Sequence, residues 1–124
     1  MKKTEFKARL FELWDIKIDD VSYEDKMKLI ERYFIEFQIK HDEQRDRPNK
    51  GDSWTDEELR VVLMDAPTKS NCIKYAKIFG RGYGSIEQIY RWASTDDRTV
   101  KEKRPDDAFV AHVKQIAKEL GWRA

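Results

Sequence analysis

The sequence predicts an all-α protein. Apolar residues recur at spacings of three and four along most of the 124 residues, which is the period of one face of an α-helix. Capping residues, prolines and glycines divide these stretches into segments of helical length. No segment alternates apolar and polar residues in the way that a half-buried β-strand does. The chain is therefore expected to form several short helices joined by polar connections.

An N-terminal helical hairpin is predicted for residues 1–47. Its first helix runs from about Thr4, a candidate N-cap, to Trp14. Its second helix follows the candidate N-cap Ser22 and carries a wide apolar stripe, formed by Tyr23, Met27, Leu29, Ile30, Tyr33, Phe34, Ile35 and Phe37. A stripe of this width is expected to be buried against the first helix, and a dimer seam is the alternative.

A polar linker at residues 48–52 is predicted to separate the hairpin from a unit of three helices at residues 53–94. The first of these helices begins with Thr55 and Glu58, which match a capping box. It ends before Pro67, because the residue that precedes a proline is disfavoured in the α region. This arrangement gives the middle of the chain its own helical domain.

A helix-turn-helix is predicted to complete this unit. Either Ser70 or Asn71 is expected to cap its first helix. The segment Gly80-Arg81-Gly82-Tyr83-Gly84 is expected to be a turn in which the glycines allow positive φ. Ser85 and Gln88 match a second capping box, which opens the second helix of the pair.

The last segment, residues 95–124, is predicted to be a charged connector followed by a C-terminal helix. Pro105 fits the first position of this helix, and Gly121 fits its end. Its apolar face is formed by Phe109, Val113, Ile116 and Leu120. We expect this helix to pack back on one of the two preceding units.

Composition limits the environment and the chemistry. The single Cys72 excludes an intramolecular disulfide and a multi-cysteine zinc site, and it favours a reducing cytoplasm. The sequence lacks a signal peptide and any apolar run of transmembrane length, so no membrane association is expected. The run His41-Asp42-Glu43 with Asp46 is more typical of a solvated charged stretch than of a metal site. We therefore predict a protein without enzymatic activity, metal or cofactor.

Charge is polarised within the three-helix unit. The formal net charge of the whole chain is only +1, so no global field draws the protein to nucleic acid. In residues 69–93, however, Glu87 is the single acid, and the basic residues are Lys69, Lys74, Lys77, Arg81 and Arg91. The helix that precedes this stretch is acidic. Neutralisation of phosphates requires such a local basic surface.

Residues 53–93 also carry a characteristic set of aromatic, basic and amide side chains. The set comprises Trp54 within Trp-Thr-x-Glu-Glu, Tyr75, Ala76, Phe79, Arg81, Gln88, Arg91 and Trp92. It resembles the Myb/SANT family of tri-helical domains, in which three regularly spaced aromatic residues form the core. Two features depart from that pattern: Cys72 stands at the second aromatic position, and the turn at residues 82–84 is longer than usual. The resemblance implies DNA binding through the third helix, or protein binding as in SANT-like members.

These observations favour a small non-enzymatic protein that binds double-stranded DNA, as a regulator or as a DNA-reading accessory. In a helix-turn-helix the N-terminal residues of the second helix meet base edges. The predicted base contacts are Ser85, Glu87, Gln88 and Arg91. The predicted phosphate contacts are Lys69, Lys74, Lys77, Arg81 and Tyr83. The alternative is a protein-binding adaptor or inhibitor, of the kind that a mobile element encodes, acting through the aromatic-rich N-terminal helices.

Overall fold

The computed structural model describes residues 1–123, and this part of the chain contains helices and connections but no strand. The all-α prediction is confirmed. Within the described residues the α-helices are α1 (Lys3–Trp14), α2 (Tyr23–Lys40), α3 (Asp56–Leu63), α4 (Lys69–Phe79), α5 (Tyr83–Ala93), α6 (Asp97–Lys103) and α7 (Ala108–Glu119). A short 3₁₀ helix at Asp42–Gln44 follows α2. None of these helices combines the length and the apolar composition that crossing a bilayer requires.

The chain divides into two compact units, Met1–Phe37 and Gln38–Ala124, and the division falls near the end of α2. The sequence instead predicted the boundary at residues 48–52. That segment belongs to the larger unit because Asn49 bonds to the end of α4. Its backbone amide donates to the Gly80 carbonyl oxygen at 3.0 Å, and its side-chain amide donates to the Phe79 carbonyl oxygen at 2.8 Å.

The larger unit holds the buried core. Four helices contribute to it: α3, α4, α5 and α7. The core cluster consists of Leu59, Val62, Leu63, Cys72, Tyr75, Ala76, Ile86, Ile89, Tyr90, Ala93, Val113, Ile116 and Ala117. Helix α5 packs against α3, α4 and α7, and α7 also packs against α3. The C-terminal helix is therefore an integral fourth member of the three-helix unit predicted from the sequence.

Several helix ends agree with their sequence signals. The capping box of Thr55 and Glu58 forms in full at the start of α3. The Ser22 hydroxyl accepts a hydrogen bond from the Asp25 amide at 3.1 Å, which caps α2 as predicted. Gly121 follows Leu120, the C-cap of α7, and has a φ of +85°, the conformation that favours glycine. Each of these signals depends on residues that lie within one helical turn.

Other helix ends differ from the prediction. The side-chain caps are Thr68 for α4, Asp96 for α6 and Asp107 for α7. Helix α4 thus begins before Ser70, α6 occupies the predicted connector, and α7 begins after Pro105. The physical reason is shared, because each cap oxygen accepts from the amide three residues further along the chain.

The N-terminal unit, Met1–Phe37, contains no buried residue. Its large apolar side chains that are more than half exposed include Phe6, Phe11, Leu13, Ile16, Tyr23, Tyr33, Phe34 and Phe37. The α2 stripe is not fully buried as expected, because Met27, Leu29, Ile30 and Ile35 are half-buried and its other members are exposed. Helix α1 also begins at Lys3, which leaves the predicted cap Thr4 inside its first turn.

Candidate nucleic-acid interface

Helix α5 is the predicted reading helix, and its neighbours fix its position. Its apolar face, formed by Ile86, Ile89, Tyr90 and Ala93, is buried. The Tyr90 hydroxyl donates to the Val62 carbonyl oxygen at 2.7 Å, which ties α5 to α3. Helix α5 therefore presents its remaining, polar face from a rigid support.

The four predicted base-contact residues divide between two surfaces of α5. Ser85 and Gln88 line a groove of 440 Å³, and the α7 residue His112 lines the same groove. Glu87 and Arg91 form an ion pair of 2.9 Å on the helix surface. The structure thus brings the four residues onto one helix, but Arg91 is partly neutralised by its own neighbour.

Arg81 is buried in the larger unit, with only 4% of its surface exposed. Its guanidinium donates to the carbonyl oxygens of Asp52 and Ser53, the second at 3.2 Å. Its Cζ atom also lies 4.1 Å from the centroid of the Trp54 ring. The phosphate contact predicted for Arg81 is therefore contradicted, because this charge holds the chain that precedes α3 against the α4–α5 turn.

The N-terminus of α5 is capped by a carboxylate from outside the helix-turn-helix. The Asp42 Oδ2 atom accepts from the Tyr83 backbone amide at 2.9 Å. Asp42 also pairs with Arg45 at 2.8 Å, and the Arg45 guanidinium donates to the Arg81 carbonyl oxygen at 2.6 Å. An anion already occupies the helix end at which the sequence analysis predicted a bound phosphate.

The start of α5 and the environment of Tyr83 both differ from the sequence prediction. Helix α5 begins at Tyr83, after the N-cap Gly82, so Ser85 lies within the helix and does not cap it. The Tyr83 ring packs against the core, and burial raises the pKa of its phenol. Its backbone amide and much of its side chain are therefore used within the fold.

Arg47 is a basic residue near this helix end that the sequence analysis did not select. A Cβ atom at Gly82 would lie 3.4 Å from Arg47 Nη1, so the guanidinium approaches the start of α5. Arg47 is partly exposed and brings a cation to the place where Arg81 was expected. The sequence analysis did not select it because residue 47 was assigned to the end of the N-terminal hairpin, outside the three-helix unit.

The three lysines predicted to contact phosphates lie on α4. Lys69 and Lys77 are exposed, and neither forms an ion pair within residues 1–123. Lys74 pairs with Asp65 at 3.0 Å. Hydrogen bonds from Tyr75 and Lys74 lower the pKa of the Asp65 carboxyl, and the bond to Asp65 raises the pKa of Lys74. Of the three, Lys69 and Lys77 are therefore the more available to an external anion.

Comparison with known proteins identifies the family. The model of the family described as "Uncharacterised protein PM1205 C-terminal domain" matches residues 48–124, which is more than half of the chain. The chain is also 44% identical over 124 residues to a protein of Pasteurella multocida (strain Pm70), described as "Uncharacterized protein PM1205", with 99% of each chain covered. The chain belongs to the PM1205 family. No solved structure matches it.

The PM1205 family match can be placed on the structure. It includes α3 to α7 and therefore the whole buried core. Asp42, Arg45 and Arg47 precede the matched residues, although they contact the α4–α5 turn. The similarity to the P. multocida protein extends over both compact units.

Proposed function

We propose that this protein binds duplex DNA through the exposed face of α5 and the neighbouring lysines of α4. The observation that carries the proposal is an exposed polar set on these two packed helices: Lys69, Lys77, Gln88 and Arg91. Lysines neutralise phosphates as point charges. A Gln amide matches the edge of adenine, and an Arg guanidinium matches the edge of guanine.

The charges around α5 predict a modest affinity. Lys69, Lys77 and Arg47 provide about three phosphate contacts, whereas Asp42 and Glu87 place negative charge beside the same helix. The net charge of +1 adds no long-range attraction. Binding is therefore expected to be weak at physiological salt and to depend on few ions.

The role that suits such a protein is that of a non-enzymatic regulator or a DNA-reading accessory. Cys72 is a buried free thiol, and burial raises its pKa to about 11, so it is a poor nucleophile. A free thiol also suits a reducing, cytoplasmic setting. The resemblance of residues 53–93 to Myb/SANT domains supports the same class of function.

Fluorescence anisotropy with a labelled random duplex tests the proposal. The wild type is expected to bind at low salt, with a slope of log K against log salt of about −3. Lys69→Ala combined with Lys77→Ala should make this slope less steep by about 2, because two phosphate contacts are lost. The matched control combines Lys101→Ala with Lys103→Ala, which removes the same charge from the exposed side of α6.

The control pair is expected to leave the slope unchanged. Absence of wild-type binding at low salt would contradict DNA binding altogether. An equal loss in both double variants would show a diffuse effect of net charge and would remove the assignment to α4. Gln88→Ala should keep the slope and weaken only the preference among duplex sequences, since an amide carries no charge to release counterions.

A second candidate is a protein-binding adaptor or inhibitor. The observation that favours it is the exposed apolar surface of the Met1–Phe37 unit. An interface anchored by aromatic residues depends little on salt, in contrast to binding through phosphates. The same salt titration, performed on any complex of this protein, therefore separates the two classes.

A further inference from the structure

The Met1–Phe37 unit is compact but half-buries only some of its apolar side chains and fully buries none of them. Helix α1 has 12 residues and no side-chain cap, and an isolated helix of this length is marginal in water. Neither α1 nor α2 contains a buried residue. Most helical stability in proteins comes from packing of an apolar face, so these helices require a surface that covers them.

The exposed apolar area is of the size that a dimer needs. Besides the terminal Met1, eight large apolar side chains of the unit are more than half exposed: Phe6, Phe11, Leu13, Ile16, Tyr23, Tyr33, Phe34 and Phe37. Six of the eight are aromatic, and a buried aromatic side chain covers roughly 150–250 Å², so about 100 Å² remains to be covered on each. Their sum sets an upper limit of roughly 800 Å² per chain, which is close to the contribution of one partner to a standard protein interface.

The charges of the unit divide into two poles along α1 and the loop that follows it. The basic pole consists of Lys2, Lys3, Lys7 and Arg9, with Glu5 as its one acid. The acidic pole consists of Glu12, Asp15, Asp19 and Asp20, with Lys17 as its one base. All of these side chains are exposed. The helix dipole prefers the opposite arrangement, so the dipole of α1 does not account for the poles.

We propose that two copies of this chain associate through their Met1–Phe37 units with the α1 helices antiparallel. The basic pole of each copy then lies beside the acidic pole of the other, and the exposed apolar side chains are covered between them. Residues 1–37 contain eight basic and nine acidic residues, a net charge of −1, so two copies repel each other little. A different protein with a strong charge of one sign would not match both the basic pole and the acidic pole. Contacts of this kind are isologous and close a two-fold dimer.

Self-association also has a consequence for the larger unit. A dimer carries two copies of the surface formed by α4 and α5, so a duplex that both can reach is bound with higher apparent affinity. The dimer itself does not depend on DNA binding. Its test therefore uses the full chain without nucleic acid.

Light scattering after size exclusion and sedimentation velocity across a range of concentrations test the proposal. The wild type is expected to have twice the 14.9 kDa mass of one chain at about 100 µM. Variant one combines Lys3→Glu with Lys7→Glu, and variant two combines Asp15→Lys with Asp19→Lys. Each is expected to weaken its own dimer about tenfold, because like poles then meet.

An equimolar mixture of the two variants should re-form a dimer, because one chain now has two acidic poles and the other two basic poles. Lys3→Glu and Asp15→Lys each place, at an end of α1, a charge that the helix dipole favours, and circular dichroism of each variant checks that its helices are retained. The control combines Lys101→Glu with Lys103→Glu in the larger unit and should dimerise as the wild type does.

Two results would overturn the proposal. The first is a wild-type protein that has the mass of one chain at about 100 µM. A monomer that binds a different protein through this unit would count as the same result. The second is a wild-type dimer that persists unchanged in both variants, or that both variants weaken without recovery on mixing. Loss of DNA binding does not change the mass of the protein in solution. The DNA-binding proposal and the dimer proposal can therefore be contradicted independently.

Discussion

At the scale of single residues, Arg81 shows how burial decides the role of a charge. Its guanidinium bonds to two backbone carbonyl oxygens and lies on the Trp54 ring. Hydrogen bonds from a charged group contribute about 1.5–3 kcal/mol, and a desolvated cation–π contact adds up to about 2 kcal/mol. The Nε atom is buried without a hydrogen-bond partner among the described residues, which offsets part of this gain. The residue is therefore a structural element of the turn.

Arg81→Ala is expected to lower the free energy of unfolding by roughly 2–4 kcal/mol, because two backbone oxygens and a tryptophan face lose their partner. Urea denaturation followed by tryptophan fluorescence measures this change. Lys77→Ala, an exposed basic residue of the adjacent helix, serves as the control and should change stability by less than about 0.5 kcal/mol. An Arg81→Ala protein of normal stability that fails to bind DNA would return Arg81 to the DNA interface.

At the scale of elements, the start of α5 is defined by a segment that precedes the helix-turn-helix. The Asp42 carboxylate accepts from the first amide of α5 and is held there by Arg45. Asn49 bonds to the last residues of α4 and Arg47 approaches Gly82. The reading helix of the proposed interface is thus oriented partly by residues that the sequence assigns to the end of the hairpin and to the linker.

Asp42→Asn should keep the hydrogen bond at the start of α5 while removing the negative charge there. The amide oxygen still accepts from the Tyr83 amide, but the charge at the helix N-terminus and the ion pair with Arg45 are lost. Stability is expected to fall by about 1 kcal/mol, and duplex affinity at low salt to rise about threefold because an anion beside α5 is removed. Urea denaturation and anisotropy measure the two effects.

Asp46→Asn provides the control for Asp42→Asn, because Asp46 is an exposed acid of the same segment. It is expected to leave the stability unchanged. A duplex affinity that decreases in Asp42→Asn, with the fold intact, would show that the N-terminal end of α5 does not face DNA.

At the scale of the whole molecule, the two units differ in what holds them together. Gln38–Ala124 contains the buried cluster of α3, α4, α5 and α7. Met1–Phe37 has helices but no buried residue of its own. Local stability follows the density of buried apolar contacts, so the units are expected to open with different free energies.

Hydrogen exchange measured by mass spectrometry should resolve this difference. Amides of α3, α4, α5 and α7 are expected to exchange slowly at every protein concentration, because they open only with the core. Amides of α1 and residues 23–37 of α2 should exchange faster in dilute protein and become protected as the concentration rises. The variant with Lys3→Glu and Lys7→Glu should lose this dependence on concentration. Equal protection of both units in dilute protein would contradict the two-unit description.

Exposure distinguishes the candidate residues that the sequence selects. Lys69, Lys77 and Gln88 were selected from the sequence and lie exposed on α4 and α5. Arg81 was selected on the same grounds and is buried, while Arg47 was overlooked and approaches the start of α5. Residue type and local charge identify candidates, but they do not distinguish a solvated guanidinium from one that folding has enclosed.

By itself the sequence determined the helical class, the caps of α2 and α3 and the apolar faces, because each depends on residues within about one helical turn. Only the tertiary structure decided the burial of Arg81, the capping of α5 by Asp42 and the partial exposure of the α2 stripe. The bonds of Arg81 and Asp42 join residues separated by 28, 29 and 41 positions. A periodic pattern shows which face of a helix is apolar. Which segment packs against that face depends on the tertiary structure.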